Sequence, residues 1–170
     1  DRDRALRLVR DEDVVIGSHA DLARCVRAGV GEQVHGEPSR SLGQRTCGSR
    51  HHLLFAGRAR YDVHVARCAC ADLFLDTFPF NAGATASDAL WVGLPVLTCM
   101  GEAFASRVAA SLLNAIGLPE LVTRTQEQYE ALAVALAMQP QRLAQIRQKL
   151  QANRLTTPLF DTERFTRDLE

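Results

Sequence analysis

The sequence predicts an α/β domain: a parallel sheet flanked by helices, followed by a helical C-terminal extension. Leu53-Leu-Phe-Ala-Gly57, Leu73-Phe-Leu75 and Val96-Leu-Thr98 are short apolar runs without polar alternation, as expected of strands buried on both faces. Between and after them lie stretches of helical periodicity joined by short loops. Strand–helix–strand alternation of this kind is the pattern of a layered α/β domain. At 170 residues the chain is long enough to bury a core.

The elements follow in order. Residues 5–9 and 20–26 are expected as short helices and Val14-Val-Ile16 as a strand. From 29 to 52 the composition turns to Gly, Arg, Ser, His and Cys with almost no apolar periodicity, leaving Val30, Val34 and Leu42 as core candidates. We therefore divide the chain into an irregular or degenerate part, 1–52, and the lobe proper, 53–170. A helix is expected over 62–69, with Val63, Ala66 and Cys70 on one side. A short helix over 85–92 points Ala89 and Leu90 inward, and Trp91 and Leu94-Pro-Val-Leu97 are core candidates. The next helix starts near Phe104 and stops at Gly117, a favourable C′ residue. Residues 118–122 are of strand character. Two amphipathic helices, 126–138 and 141–154, are separated by Pro140, and Asp161 is the expected N-cap of a final helix running to Glu170.

Bulk properties exclude several classes. Twenty basic and twenty acidic side chains balance, so no electrostatic footprint for nucleic acid is present. No polybasic tract addresses a membrane surface, and no apolar run is long enough to cross a bilayer. The first residues lack the apolar core of a signal peptide, and a cytoplasmic location is expected. Five cysteines, an odd number, argue for free thiols rather than a disulfide framework. Cys68 and Cys70 diverge on their helix, so no metal site is expected.

The stretch from Asp72 to Thr98 carries the chemistry. It reads as strand, Gly-containing loop, helix start and second strand. A helix start at the carboxyl end of a parallel strand presents free N–H groups and a positive dipole end, a natural place for phosphate. Thr85 adds a hydroxyl there, and Asp88, three residues on, offers a carboxylate for a ribose hydroxyl. The same Thr85-x-x-Asp88 spacing also fits a plain capping box with Asp in place of Glu.

Longer motifs narrow the reading. Asp72-Leu-Phe-Leu-Asp-Thr77, Asn81-Ala-Gly-Ala-Thr-Ala-Ser-Asp-Ala-Leu-Trp-Val-Gly-Leu-Pro-Val96, Ala105-Ser-Arg-Val-Ala-Ala-Ser111 and Thr156-Thr-Pro-Leu-Phe-Asp-Thr-Glu-Arg-Phe165 occur in this order. Together they resemble the C-terminal catalytic lobe of the SPINDLY/OGT-like O-linked N-acetylglucosamine transferases, most of all the bacterial ones, over roughly 53–170. The resemblance implies a Rossmann-like lobe, half of a GT-B glycosyltransferase. It implies transfer of N-acetylglucosamine from UDP to Ser or Thr of an acceptor protein, with inversion and without a required metal or cofactor. It also implies partners that this chain does not show: an N-terminal catalytic lobe and tetratricopeptide repeats.

Carried over residue by residue, the resemblance places the backbone of Ala59 and the side chains of His64 and Arg67 at the uracil. Thr85 falls at the diphosphate and Asp88 at the ribose. His64 and Arg67, one helical turn apart, can face one cleft. No residue is assigned as general base. Departures from the family are local. Tyr61 stands where the family has a lysine, Ala84-Thr85 where two threonines are usual, and no lysine precedes Lys149. Losing one donor to a developing negative charge typically costs ~3 kcal/mol in such sites. Two other readings stay open: a related lobe using another sugar nucleotide such as GDP-fucose, and a non-catalytic nucleotide-binding or interaction module.

Overall fold

The computed structural model describes residues 6–10, 13–17, 52–54 and 60–170. Six strands form one sheet among them: β1 (Leu6–Arg10), β2 (Asp13–Gly17), β3 (His52–Leu54), β4 (Leu73–Leu75), β5 (Val96–Cys99) and β6 (Val122–Thr123), in the order β3-β2-β1-β4-β5-β6. β1, β4, β5 and β6 run parallel, with Leu8 opposite Leu73, Phe74 opposite Val96 and Thr98 opposite Val122. β2 runs antiparallel to both β1 and β3 and extends one edge.

Of the helix expected at 5–9, the described residues 6–9 lie in the strand β1 instead. Five residues are too few to offset the cost of nucleating a helix. Flanked by β2 and β4, the same residues find hydrogen-bond partners on both sides. The strand expected at 14–16 is β2, and that at 53–57 is described only in its first part, β3. The helix expected at 20–26 and the core candidates Val30, Val34 and Leu42 lie outside the described residues.

Six α-helices are found among the described residues: α1 (Tyr61–Ala69), α2 (Ala84–Trp91), α3 (Val108–Ala115), α4 (Gln126–Met138), α5 (Pro140–Asn153) and α6 (Thr162–Leu169). Every residue of β4 and β5 is buried, as their unbroken apolar character requires. Ala86, Ala89 and Leu90 of α2, Ala109 and Leu113 of α3, and Ala133 and Leu136 of α4 close over the sheet. α5 contributes Leu143, Ile146 and Leu150, an i, i+3, i+7 stripe. Thr125 caps α4 by accepting from the Gln128 N–H at 3.2 Å, and Asp161 caps α6 by accepting from the Arg164 N–H at 2.9 Å. Gly117 ends the α3 segment with φ +76°, a conformation open to glycine, while Asn153 Nδ2 donates to the Ile116 carbonyl at 2.9 Å.

Val63 and Ala66 of α1 and Cys70 at its C-cap, expected on one side, are all exposed, and the buried residue is Cys68. Nine residues offer too short a period for their sparse apolar positions to specify the inward face. Two other expectations are corrected. Trp91 is 47% exposed rather than core, because Ala86, Ala89 and Leu90 already occupy the inner face of α2. Its ring meets Phe160 edge-on at 5.1 Å and lies 5.3 Å beneath the Arg154 guanidinium, so it clasps the C-terminal extension to α2. Residues 118–122 form a 3₁₀ turn (Pro119–Leu121) before the two-residue β6, since proline at the first position favours a turn over a ladder.

The loops leaving β4 and β5 press on each other at Gly101. A Cβ there would lie 2.5 Å from Ser106 Oγ, 2.9 Å from Ser106 Cβ and 3.2 Å from Phe78. Gly101→Ala is expected to lower stability by about 1–3 kcal/mol in urea unfolding, the range for overpacking. Adding Ser106→Gly should recover part of that loss. A Gly101→Ala variant as stable as the parent would show that this close approach is no constraint.

Candidate functional site

Asp76, at the carboxyl end of β4, organises the loop that leads to α2. Its side chain is 5% exposed. Oδ1 accepts from the backbone N–H groups of Thr77 at 2.8 Å and Ala82 at 2.7 Å, and Oδ2 accepts from the Thr98 hydroxyl on β5. The Asp76 carbonyl accepts from the Tyr129 hydroxyl of α4 at 3.0 Å. One acidic residue thus ties together two strands, a helix and both ends of the loop.

Asn81 completes the loop. Its Nδ2 donates to the Thr77 carbonyl at 2.8 Å, and its backbone N–H donates to the Ala105 carbonyl at 2.9 Å. The chain then passes to Gly83, the N-cap of α2, which has no side chain to close the helix end. The positive end of α2 is therefore presented at the carboxyl edge of the parallel strands. Thr85 lies in the first turn, one residue inside the helix rather than at its cap, so the capping-box alternative for Thr85 and Asp88 does not form. The two are three residues apart and share a face of α2.

α1 supplies the opposite side. The Tyr61 hydroxyl donates to Asp88 Oδ1 at 2.8 Å across 27 residues of sequence. That bond, then desolvation and the Asp88 charge, raises the Tyr61 phenol above its ordinary value of 10.0. His64 is half-buried, with Nε2 3.7 Å from Cys68 Sγ. Burial, reinforced by the Asp88 charge and opposed by Arg67, pushes the Cys68 thiol up. Cys68 is accordingly a protonated packing group at neutral pH, not a nucleophile. Arg67 is partly buried in the last turn of α1.

The structure thus brings Tyr61 and Asp88 into direct contact, with the charges of Arg67 and Asp88 both acting on the Cys68 thiol beneath. Thr85 joins Asp88 through their shared helix. Ala59 lies outside the described residues. Sequence reasoning missed Asp76 as the organising group; the available signal was a carboxylate directly ending an apolar strand. It also missed three exposed rings on the loops after β4 and β5: Phe78, Phe80 and Phe104, at 41%, 73% and 87% exposure. Among the described residues no cluster of three or more His, Cys, Asp or Glu is arranged to hold a metal. No helix there is long and apolar enough to cross a membrane.

Residues 31–169 match the profile of glycosyl transferase family 41. A UDP-N-acetylglucosamine–peptide N-acetylglucosaminyltransferase of Caenorhabditis elegans is 40% identical over 118 residues, covering 69% of this chain and 10% of that protein. The probable enzyme SEC of Arabidopsis thaliana is 40% identical over 119 residues, 69% of this chain and 12% of its own length. A solved structure of a mutant O-GlcNAc transferase from Thermobaculum terrenum superposes with a TM-score of 0.62 at 37% identity, covering 68% of this chain and 22% of that one. The chain spans about a tenth of the length of these curated relatives.

The Tyr61–Asp88 bond has a pH signature. A phenol raised in the folded state contributes stability that is present below pH 10.0 and lost as pH climbs through the folded-state value. In an ultraviolet phenolate titration, the difference between the parent and Tyr61→Phe should show a midpoint above 10.0. Asp88→Asn should bring that midpoint down. A midpoint indifferent to Asp88→Asn would contradict the pairing.

Proposed function

The chain belongs to glycosyl transferase family 41, and on that basis we propose that it is the sugar-nucleotide-binding lobe of a protein O-GlcNAc transferase. The donor is UDP-N-acetylglucosamine and the acceptor is a Ser or Thr hydroxyl of a protein. Transfer inverts the anomeric centre and requires no metal. The observation that carries this reading is the convergence of α1 and α2 around Asp88, beside a helix start at the carboxyl edge of a parallel sheet.

Each group has a task in this reading. The first turn of α2, with Thr85, faces the diphosphate and meets the negative charge that grows on UDP as the glycosidic bond breaks. Asp88 accepts from the ribose hydroxyls. His64 packs on the uracil, Arg67 fixes its polar edge, and Ala59 contributes a backbone contact. The acceptor hydroxyl attacks the anomeric carbon in line, positioned by an N-terminal catalytic lobe, with tetratricopeptide repeats bringing the acceptor protein. No side chain of this lobe is assigned as general base, because Asp88 and His64 are engaged by the nucleotide.

The Tyr61–Asp88 bond favours a second reading, nucleotide binding without transfer. Tyr61 brings no positive charge to the leaving group, so a lobe that holds UDP need not stabilise its departure.

Calorimetric titration with UDP, with GDP as control, tests the binding site. Saturable binding of UDP in preference to GDP is expected, and Asp88→Asn should weaken it about tenfold or more, the worth of a hydrogen bond to a charged group. Equal binding of GDP, or an Asp88→Asn variant with parental affinity, would overturn the assignment.

A further inference from the structure

Tyr61 and Asp88 form a polar pair that bridges α1 and α2 within reach of solvent. Tyr61 is 68% exposed, yet its hydroxyl is committed to Asp88 Oδ1 at 2.8 Å. A carboxylate has two oxygens and about four acceptor positions. The phenol therefore engages one oxygen of a partly buried carboxylate that has further acceptor positions to offer a ligand.

An aspartate on a partly exposed helix face samples several rotamers, and a ligand that needs one of them loses affinity in selecting it. The hydrogen bond from Tyr61 removes that selection in advance. Because the tyrosine ring sits on a separate helix, the constraint acts between α1 and α2 rather than within α2. A phenol also differs from an ammonium group in having one directed donor and no charge. It can orient a carboxylate without attracting phosphate, so its influence falls on the polyol part of a ligand.

We propose that Tyr61 is a positioning residue for specificity: it holds the Asp88 carboxylate in the orientation that receives a vicinal diol, and so makes the site select ribose over its deoxy forms. This rests on the reading of Asp88 as the ribose carboxylate. Tyr61 acts through Asp88 and makes no bond of its own to the sugar.

The test compares UDP with 2′,3′-dideoxy-UDP by calorimetry on the parent chain, Tyr61→Phe, Asp88→Asn and the double variant, with circular dichroism confirming the fold of each. Tyr61→Phe should weaken UDP binding about three- to tenfold, the worth of one hydrogen bond, and leave dideoxy-UDP binding unchanged. In the Asp88→Asn background the same replacement should have no further effect. Equal weakening of both nucleotides, no weakening of either, or fully additive losses would overturn the role of Tyr61. A parent chain that binds UDP and dideoxy-UDP equally would instead overturn the ribose assignment of Asp88, and the role of Tyr61 with it.

Discussion

A carboxylate buried at the end of a strand is costly unless the chain surrounds it with donors, and breaking such an arrangement leaves an uncompensated charge worth several kcal/mol. Asp76 meets this condition with two backbone N–H groups from its own loop and the hydroxyl of Thr98 on the neighbouring strand. Satisfying the charge has a geometric consequence. Residues 77–82 must curl around the carboxylate, and the chain emerges at Gly83 aimed into α2. The position of Thr85 and Asp88 relative to the sheet follows from that curl. The Tyr129 hydroxyl extends the same constraint to α4.

Around this rigid edge, the groups assigned to the ligand sit on short helices that touch solvent. α1 buries Cys68, while Tyr61 is exposed and His64 and Arg67 are partly buried. The bond between Tyr61 and Asp88 therefore does for the cleft what Asp76 does for the loop: it fixes an acidic group with a donor from elsewhere in the sequence. The two differ in environment. Asp76 is sealed and structural, whereas Asp88 is only partly buried. No lysine precedes Lys149, so in this reading the first turn of α2 and arginine side chains such as Arg67 are what the described part of the site offers a diphosphate in positive potential.

The sequence made legible whatever depends on neighbours along the chain. β4 and β5 show as unbroken apolar runs, α4 as a periodic segment, Asp161 as the cap of α6, and Gly117 as a helix stop. Non-local causes were not legible. Leu6–Arg10 is a strand because β2 and β4 lie on either side, which no property of five residues reveals. Trp91 stays half outside because smaller residues fill the inner face of α2 and Phe160 and Arg154 wait for it in the extension. Thr85 and Asp88 stood out through local spacing and family resemblance. The link between Tyr61 and Asp88 did not, because 27 residues and a change of helix separate them.

The central claim is that a nucleotide seats where α1 and the start of α2 converge at the edge organised by Asp76. Amide chemical-shift mapping during a UDP titration tests it most directly. The account predicts that perturbations concentrate on residues 61–67 and 83–88, while the stripe of α5 and the exposed α6 stay unmoved. Perturbations centred on α5 or α6, or a spectrum unchanged at saturating nucleotide, would contradict it.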